Sequence, residues 1–399
     1  MKDIVLVSAC RTAIARFMGS LKDVQANDLA ITAGKAAIER AGIDAGIIDE
    51  LTLGQVFPHG QGSLPARQVA LGCGLRFDST ACNVNQNCAS GMRALEIAAR
   101  NIQVGINDVA LVVGVESMTN APYLALKARM GYRMNAGKLE DSMIYDGLFD
   151  GMVPGHMGIT AENIAEKYGI TREECDVLAL MSHQRATRAV QEGTFKREVI
   201  PYEIKSKKGS KFYENDEHMI PDASTESMAK LPAAFKKGGV VTAANASGIN
   251  DAAAAIVIMS KEKAAELGIK PLMKLIDITH GGVDPKLMGL GPALAIPKSL
   301  KNAGLKFEDI DYWEINEAFA AQFLGVGRML KEDFGLELDM NKCNLNGSGI
   351  ALGHPVGCTA LRIIVSLYYE LERQGKTLGG ASLCVGGGSG MCSLWTRDI

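Results

Sequence analysis

The stretch Asp108–Glu116 reads Asp-Val-Ala-Leu-Val-Val-Gly-Val-Glu, apolar at nearly every position rather than at every second one. A strand of that kind buries both faces, so its sheet must be covered on both sides. Ala252–Met259 is a second run of the same kind. Shorter apolar runs at Ile4–Ser8, Leu51–Val56, Lys274–Ile278, Asp311–Ile315 and Ala381–Val385 read as further strands. Between them, Leu29–Ala41, Pro65–Leu71, the stretch from Cys88 to about Gly105, and Leu361–Leu371 carry helical spacing, the first ending at a C-capping Gly42. This alternation predicts a layered α/β architecture.

The segment from about Asn120 to Thr242 differs, being richer in charge, Met and Tyr. It reads as an inserted loop domain with amphipathic helices at Ile159–Tyr168 and Glu173–Glu192 and a solvated surface loop at Lys205–Lys211. From Pro271 the pattern restarts. Cys82-Asn83-Val84-Asn85 recurs as Cys343-Asn344-Leu345-Asn346, each before a small-residue turn and a helix. Such a duplication predicts two similar halves packed face to face, with equivalent helices at the centre.

The formal net charge of −3 gives no footing for a nucleic-acid or membrane-surface partner. The longest apolar run is too short to span a bilayer, and Ile4–Val7 is too short for a signal sequence. The 9 cysteines include no CxxC pair, which argues against a zinc ribbon or a disulfide framework. Reduced thiols in the cytoplasm, one or two of them catalytic, fit better.

Three glycine-flanked segments each deliver a reactive side chain: Asn85-x-x-Cys88-Ala-Ser-Gly91, Gly353-His354-Pro355-Val-Gly357 and Cys384-Val-Gly386-Gly387-Gly388. Asn316 opens a fourth, Asn-Glu-Ala-Phe-Ala. Singly, Cys88 and Cys384 read as core cysteines and His354 as a turn residue. Together, two thiols and an imidazole on glycine-rich turns favour nucleophilic catalysis. Cys88, near a helix N-terminus, is expected to favour the thiolate. His354 can hold its proton, and Cys384 can exchange one with a carbon beside a carbonyl. Backbone N–H groups near Cys88 and Gly386, with His354 and Asn316, can stabilise oxyanions.

These residues, with Ser8-Ala-Cys-Arg-Thr12, Pro65-Ala-Arg-Gln68, Gly114-Val-Glu-Ser-Met118, His156-Met157-Gly-Ile-Thr-Ala-Glu-Asn163 and Ala244-Asn-Ala-Ser247, make the chain resemble the thiolase family nearly end to end. The resemblance implies an α-β-α-β-α fold from two βαβαβαββ halves. Residues 1–119 with 243–270 would form one half, 120–242 the loop domain and 271–399 the other half. It implies an enzyme that condenses two acetyl-CoA into acetoacetyl-CoA and CoA, or runs in reverse, with no metal or redox cofactor. A degradative 3-ketoacyl-CoA thiolase of broader chain length is the alternative. The roles implied are nucleophile for Cys88, activation for His354, an oxyanion hole of His354 and an Asn316-held water, and α-carbon acid/base for Cys384. The N–H groups of Cys88 and Gly386 form a second oxyanion hole. Ser247, Ala243 and Ala246 would line a pantetheine tunnel. His156, Met157, Met288, Ala318 and Phe319 would shape the acyl pocket, with Leu231 and Ser227 near the adenine. Such enzymes are usually dimers or tetramers, so a homo-oligomer is expected. Asn87 stands where an aliphatic residue is common, and Ile220 where an arginine often meets the CoA 3′-phosphate, a contact that Lys230 could replace.

Overall fold

The two fully apolar runs become adjacent central strands. The computed structural model describes residues 1–153, 155–207 and 209–399. Its main strands are β1 (Ile4–Thr12), β2 (Glu50–Gly54), β3 (Thr80–Val84), β4 (Val109–Ser117), β5 (Asn250–Ser260), β6 (Met273–Gly282), β7 (Tyr312–Ile315), β8 (Leu378–Val385) and β9 (Ser389–Thr396). Its main helices are α1 (Ala26–Ala41), α2 (Pro65–Gly72), α3 (Ser90–Gln103), α4 (Met157–Tyr168), α5 (Arg172–Glu192), α6 (Gly291–Ala303), α7 (Ala320–Phe334) and α8 (Val356–Gln374). Every residue of β4 and of β5 is buried, as an all-apolar strand requires.

The sheet runs β7-β8-β9-β6-β1-β5-β4-β2-β3. It is symmetric about the β1–β6 contact, where Val5 pairs Lys274 and Leu6 pairs Met273 antiparallel. Outward from that join, β1-β5-β4-β2-β3 on one side matches β6-β9-β8-β7 on the other. Cys343, which makes a single parallel bridge to Trp313, stands where β3 stands in the first half. The cysteine repeat thus marks equivalent edge positions. The chain order βαβαβαββ occurs twice, the second time with that lone bridge as its third strand.

Helix α1 packs on β1, β4 and β5, and α6 packs on β6, β8 and β9. Helices α3 and α8 pack on each other, and α8 also touches β4 and β5 of one half and β7 and β8 of the other. Its sequence explains this: every residue from Val356 to Tyr368 is buried, so no face is left for water. The expected central helices are present. The joining of both halves into one hydrogen-bonded sheet was not legible in the sequence.

The segment between β4 and β5 is tied to β1 by buried charges. Arg11 Nε donates to Glu198 at 2.6 Å, and its terminal nitrogens donate to Asp216 at 2.7 and 2.8 Å. Each charge is paired, which removes most of the cost of burying it. The lysine-rich stretch departs from expectation. Tyr202–Ser206 and Gly209–Tyr213 pair as an antiparallel hairpin, with Lys205, Lys207 and Lys211 exposed; Lys208 lies outside the described residues. Tyr202 and Ile204 alternate with polar Glu203 and Lys205, and buried Tyr213 pairs Tyr202, which gives the hairpin one inward face. Among the described residues, no helix is long and apolar enough to cross a membrane.

Candidate active site

Cys88 comes from one half of the molecule, and His354 and Cys384 come from the other. Cys88 sits two residues before α3, at the end of a tight turn. Asn87 holds a left-handed φ of +46°, which Asn tolerates better than most residues. Its N–H donates to Asn85 Oδ1 at 3.0 Å, and its carbonyl accepts from Ser90 N at 3.0 Å and Ser90 Oγ at 2.7 Å.

His354 Nε2 lies 3.2 Å from Cys88 Sγ. On the other side of the ring, Nδ1 lies 2.7 Å from Thr359 Oγ1. The Thr359 hydroxyl donates its proton to Pro355 O at 3.0 Å, so it accepts from Nδ1–H. That assigns the tautomer: Nε2 is bare and faces the thiol. The His354 N–H donates to Asn250 Oδ1 at 2.9 Å, which fixes the backbone that carries the ring.

The surroundings of Cys88 work against the expected thiolate. The backbone N–H groups of Gly386 and Cys88 do point at the sulfur and favour its charged form, but burial outweighs them and pushes the thiol up to about 11. Cys88 faces a cavity and is only partly covered, yet the surrounding protein desolvates it enough to decide the sign. Burial also pushes His354 down to about 3, with the Arg362 charge adding to it. The resting pair is therefore neutral thiol and neutral imidazole. Cys384 is fully buried and is raised by burial and then by the neighbouring Cys88.

Glu116, at the end of β4, staples the site together. Its carboxylate accepts from Val56 N at 2.9 Å, Phe57 N at 3.0 Å and Gly357 N at 2.9 Å. The first two belong to the Cys88 half and the third to the first turn of α8. Burial pushes Glu116 up to about 7 against the pull of those donors.

The cavity holds about 560 Å³ and runs from exposed Arg16 and Phe17 to buried His354. Of the residues singled out in the sequence, Asn87, Cys88, His354, Gly386, His156, Met157, Ala243, Ala246, Ser247, Met288, Ala318 and Phe319 line it. Ala246 bridges Phe319, and Ser247 N donates to Ala318 O at 2.9 Å, so two small-residue segments run side by side along one wall. His156 stacks on Phe235 at 4.5 Å, and Phe235 meets Phe319 edge-on at 6.1 Å. Around Cys88, the buried residues Val56, Phe57, Met118, Met143 and Val356 form a separate apolar cluster.

Asn316 and Cys384 lie behind the lining rather than in it. Asn316 is fully buried, and neither polar atom of its carboxamide has a hydrogen-bond partner among the described residues. Leu231 and Ser227 lie outside the lining. Ser227 is exposed and caps the short helix Thr225–Ala229 with Ser224. Ile220 and Lys230 are both exposed. Sequence reasoning missed Thr359, Glu116, Phe57 and Phe235. For Glu116 a signal was present, a charge closing an otherwise apolar strand. For Thr359 there was none, since a threonine in the first turn of a helix gives no sign of the ring it will hold.

The geometry has counterparts in known proteins. The thiolase N-terminal domain matches residues 4–262 and the thiolase C-terminal domain residues 269–397. An acetyl-CoA acetyltransferase of Syntrophomonas wolfei subsp. wolfei is 50% identical over 392 residues, 98% of each chain. An acetyl-CoA acetyltransferase of Escherichia coli (strain K12) is 46% identical over 398 residues, 100% of each. Among solved structures, an acetyl-CoA acetyltransferase from Syntrophomonas wolfei superposes with a TM-score of 0.99 at 65% identity, covering 100% of both chains. Human mitochondrial 3-ketoacyl-CoA thiolase in complex with CoA superposes with a TM-score of 0.95 at 38% identity, covering 100% of this chain and 98% of that one. With both halves matched in order and these relatives aligned end to end, the chain belongs to the thiolase family.

Proposed function

We propose that the protein is an acetyl-CoA acetyltransferase that joins two acetyl-CoA into acetoacetyl-CoA and free CoA, reversibly, through an acetyl group on Cys88. The observation that carries this reading is the 3.2 Å approach of a bare imidazole nitrogen to the Cys88 thiol on the wall of the cavity. As Sγ attacks the first acetyl carbonyl, the thiol proton passes to His354 Nε2. The N–H groups of Cys88 and Gly386, already directed at the sulfur, hold the oxyanion. The C–S bond to CoA breaks, the CoA sulfur takes the proton from His354, and acetyl-Cys88 remains.

For the second half-reaction the Cys384 thiol first passes its proton to His354 Nε2, and the thiolate so formed takes an α-proton from the second acetyl-CoA. The Nε2–H that His354 now carries and a water oriented by the Asn316 carboxamide stabilise its enolate oxygen. The enolate carbon attacks acetyl-Cys88, a C–C bond forms, and the Cys88 sulfur leaves. The leaving Cys88 thiolate recovers its proton from His354 Nε2 and Cys384 keeps the substrate proton as its own thiol, so both cysteines and the imidazole return to their resting forms.

His156, Met157, Met288, Ala318 and Phe319 would bound the acyl pocket. Ala243, Ala246 and Ser247 would pass the pantetheine arm, and Ser227 and Leu231 would lie towards the adenine. No metal or redox cofactor enters these steps. Curated relatives at 46–50% identity bear the acetyltransferase name, whereas the human 3-ketoacyl-CoA thiolase is 38% identical, which favours the short-chain reading. We place the enzyme in the cytoplasm as a homo-oligomer, a dimer or tetramer. Nine free cysteines support the compartment. Exposed Tyr123, Leu126, Met130, Tyr132 and Met134 in one segment of the proposed 120–242 loop domain support self-association.

Mass spectrometry after mixing with acetyl-CoA tests the reading. One acetyl mass is expected on the Cys88 peptide in the wild type and in Cys384→Ala, and none in Cys88→Ala. An unmodified Cys88 peptide in the wild type would end it.

A further inference from the structure

The Gly386–Gly388 turn supplies an oxyanion donor, yet it has no side chains to hold it in place. Gly387 and Gly388 sit at φ of +95° and +94°. The far end is tied down, since Val283 N donates to Gly388 O at 2.8 Å. The turn's own closing bond, Gly388 N to Val385 O, is long at 3.3 Å. At the near end, the contact on Gly386 is Asn87, whose Nδ2 donates to Gly386 O at 3.0 Å across 299 residues of sequence.

Asn87 is a stiff anchor. Three hydrogen bonds to its own backbone hold it in the turn that carries Cys88. The fit is close: a Cβ added at Gly386 would lie 2.9 Å from Asn87 Nδ2 and 2.6 Å from Met157 Cε. One carboxamide therefore fixes the spacing between the two N–H groups aimed at Cys88, one from each half of the molecule. An aliphatic side chain at this position could fill the same space but could not donate, and would sit less well at a positive φ.

We propose that Asn87 is a positioning residue for acyl transfer: its carboxamide clamps the glycine turn so that the Gly386 N–H stays directed at the developing oxyanion. The proposal rests on the acyl-transfer reading above. Asn87 borders the cavity, but its carboxamide is turned onto Gly386 O, so its loss slows the step at Cys88 more than it weakens acyl-CoA binding. The α-proton step belongs to Cys384 and the other oxyanion site, so it is spared.

The test uses Asn87→Leu, which keeps bulk and removes the donor, with Asn87→Ala as the second variant should the first fail to fold. Relative to wild type, acetylation of Cys88 by acetyl-CoA is expected to slow about ten-fold, less than outright loss of an oxyanion donor. KM for acetyl-CoA should stay within about two-fold, and α-proton exchange of acetyl-CoA should stay near wild type. Amide hydrogen exchange in the peptide carrying Gly386–Gly388 should accelerate. Unchanged acetylation, unchanged amide exchange, or a raised KM with kcat intact would each overturn the proposal. A wild-type enzyme that takes no acetyl group would remove the functional reading instead, while the amide-exchange arm would still decide whether the clamp exists.

Discussion

At the scale of single residues, the proton is the thing to follow. A thiol pushed up to about 11 beside an imidazole pushed down to about 3 does not form an ion pair at rest. Raising an acid's pKa keeps it protonated until the pH approaches that value, so the thiolate fraction grows with pH throughout the neutral range. Alkylation of Cys88 by iodoacetamide without substrate should therefore keep accelerating through pH 9. A plateau near pH 6–7 would mean a preformed thiolate–imidazolium pair. Thr359 decides which nitrogen is bare. Thr359→Val leaves Nδ1–H without its acceptor in a buried place, which costs about 1–3 kcal/mol, or roughly five- to 150-fold in kcat. Steady-state kinetics with little change in KM would bear this out. The three reactive residues were legible because glycine-rich turns flag them. Thr359 was not, because a threonine in a helical first turn looks like any other until its hydroxyl is seen bonding back to Pro355.

At the scale of elements, strands with unbroken apolar runs read well and mixed ones did not. β9, Ser-Gly-Met-Cys-Ser-Leu-Trp-Thr, hides among small polar residues. Helix α6 carries Pro292 in its first turn and Pro297 inside, which obscured its period. The contacts that bring α3, β4 and α8 together depend on absent side chains. A Cβ at Gly114 would come within 2.9 Å of Gly357 O, and one at Gly91 within 3.1 Å of Leu361 Cβ. Gly114→Ala should therefore force β4 away from the first turn of α8. Equilibrium urea unfolding should show a loss of about 1–3 kcal/mol, as overpacked cores do. Activity should fall further than stability, because that turn follows directly on His354.

At the scale of the whole molecule, the duplicated order of elements was readable, but the way the copies meet was not. Local periodicity says nothing of a β1–β6 pairing between residues some 270 apart. The join has a consequence for how the enzyme fails. Trp313 and Trp395, which account for all of the tryptophan, are buried in the second half. Trp395 sits in a core cluster that both copies share and Trp313 in one of the second copy and the loop segment, so their fluorescence reports packed cores, whereas the proposed turnover needs the finer fit of Cys88 from one copy against His354 and Cys384 from the other. In rising urea, catalysis should fade before the tryptophan signal moves, as a slight loosening at the join parts Cys88 from His354 while the shared core around Trp395 stays packed. Coincident curves would mean that the pair melts as one body. Duplication has left this protein with a working centre that neither copy owns, and so with a function more fragile than its folding.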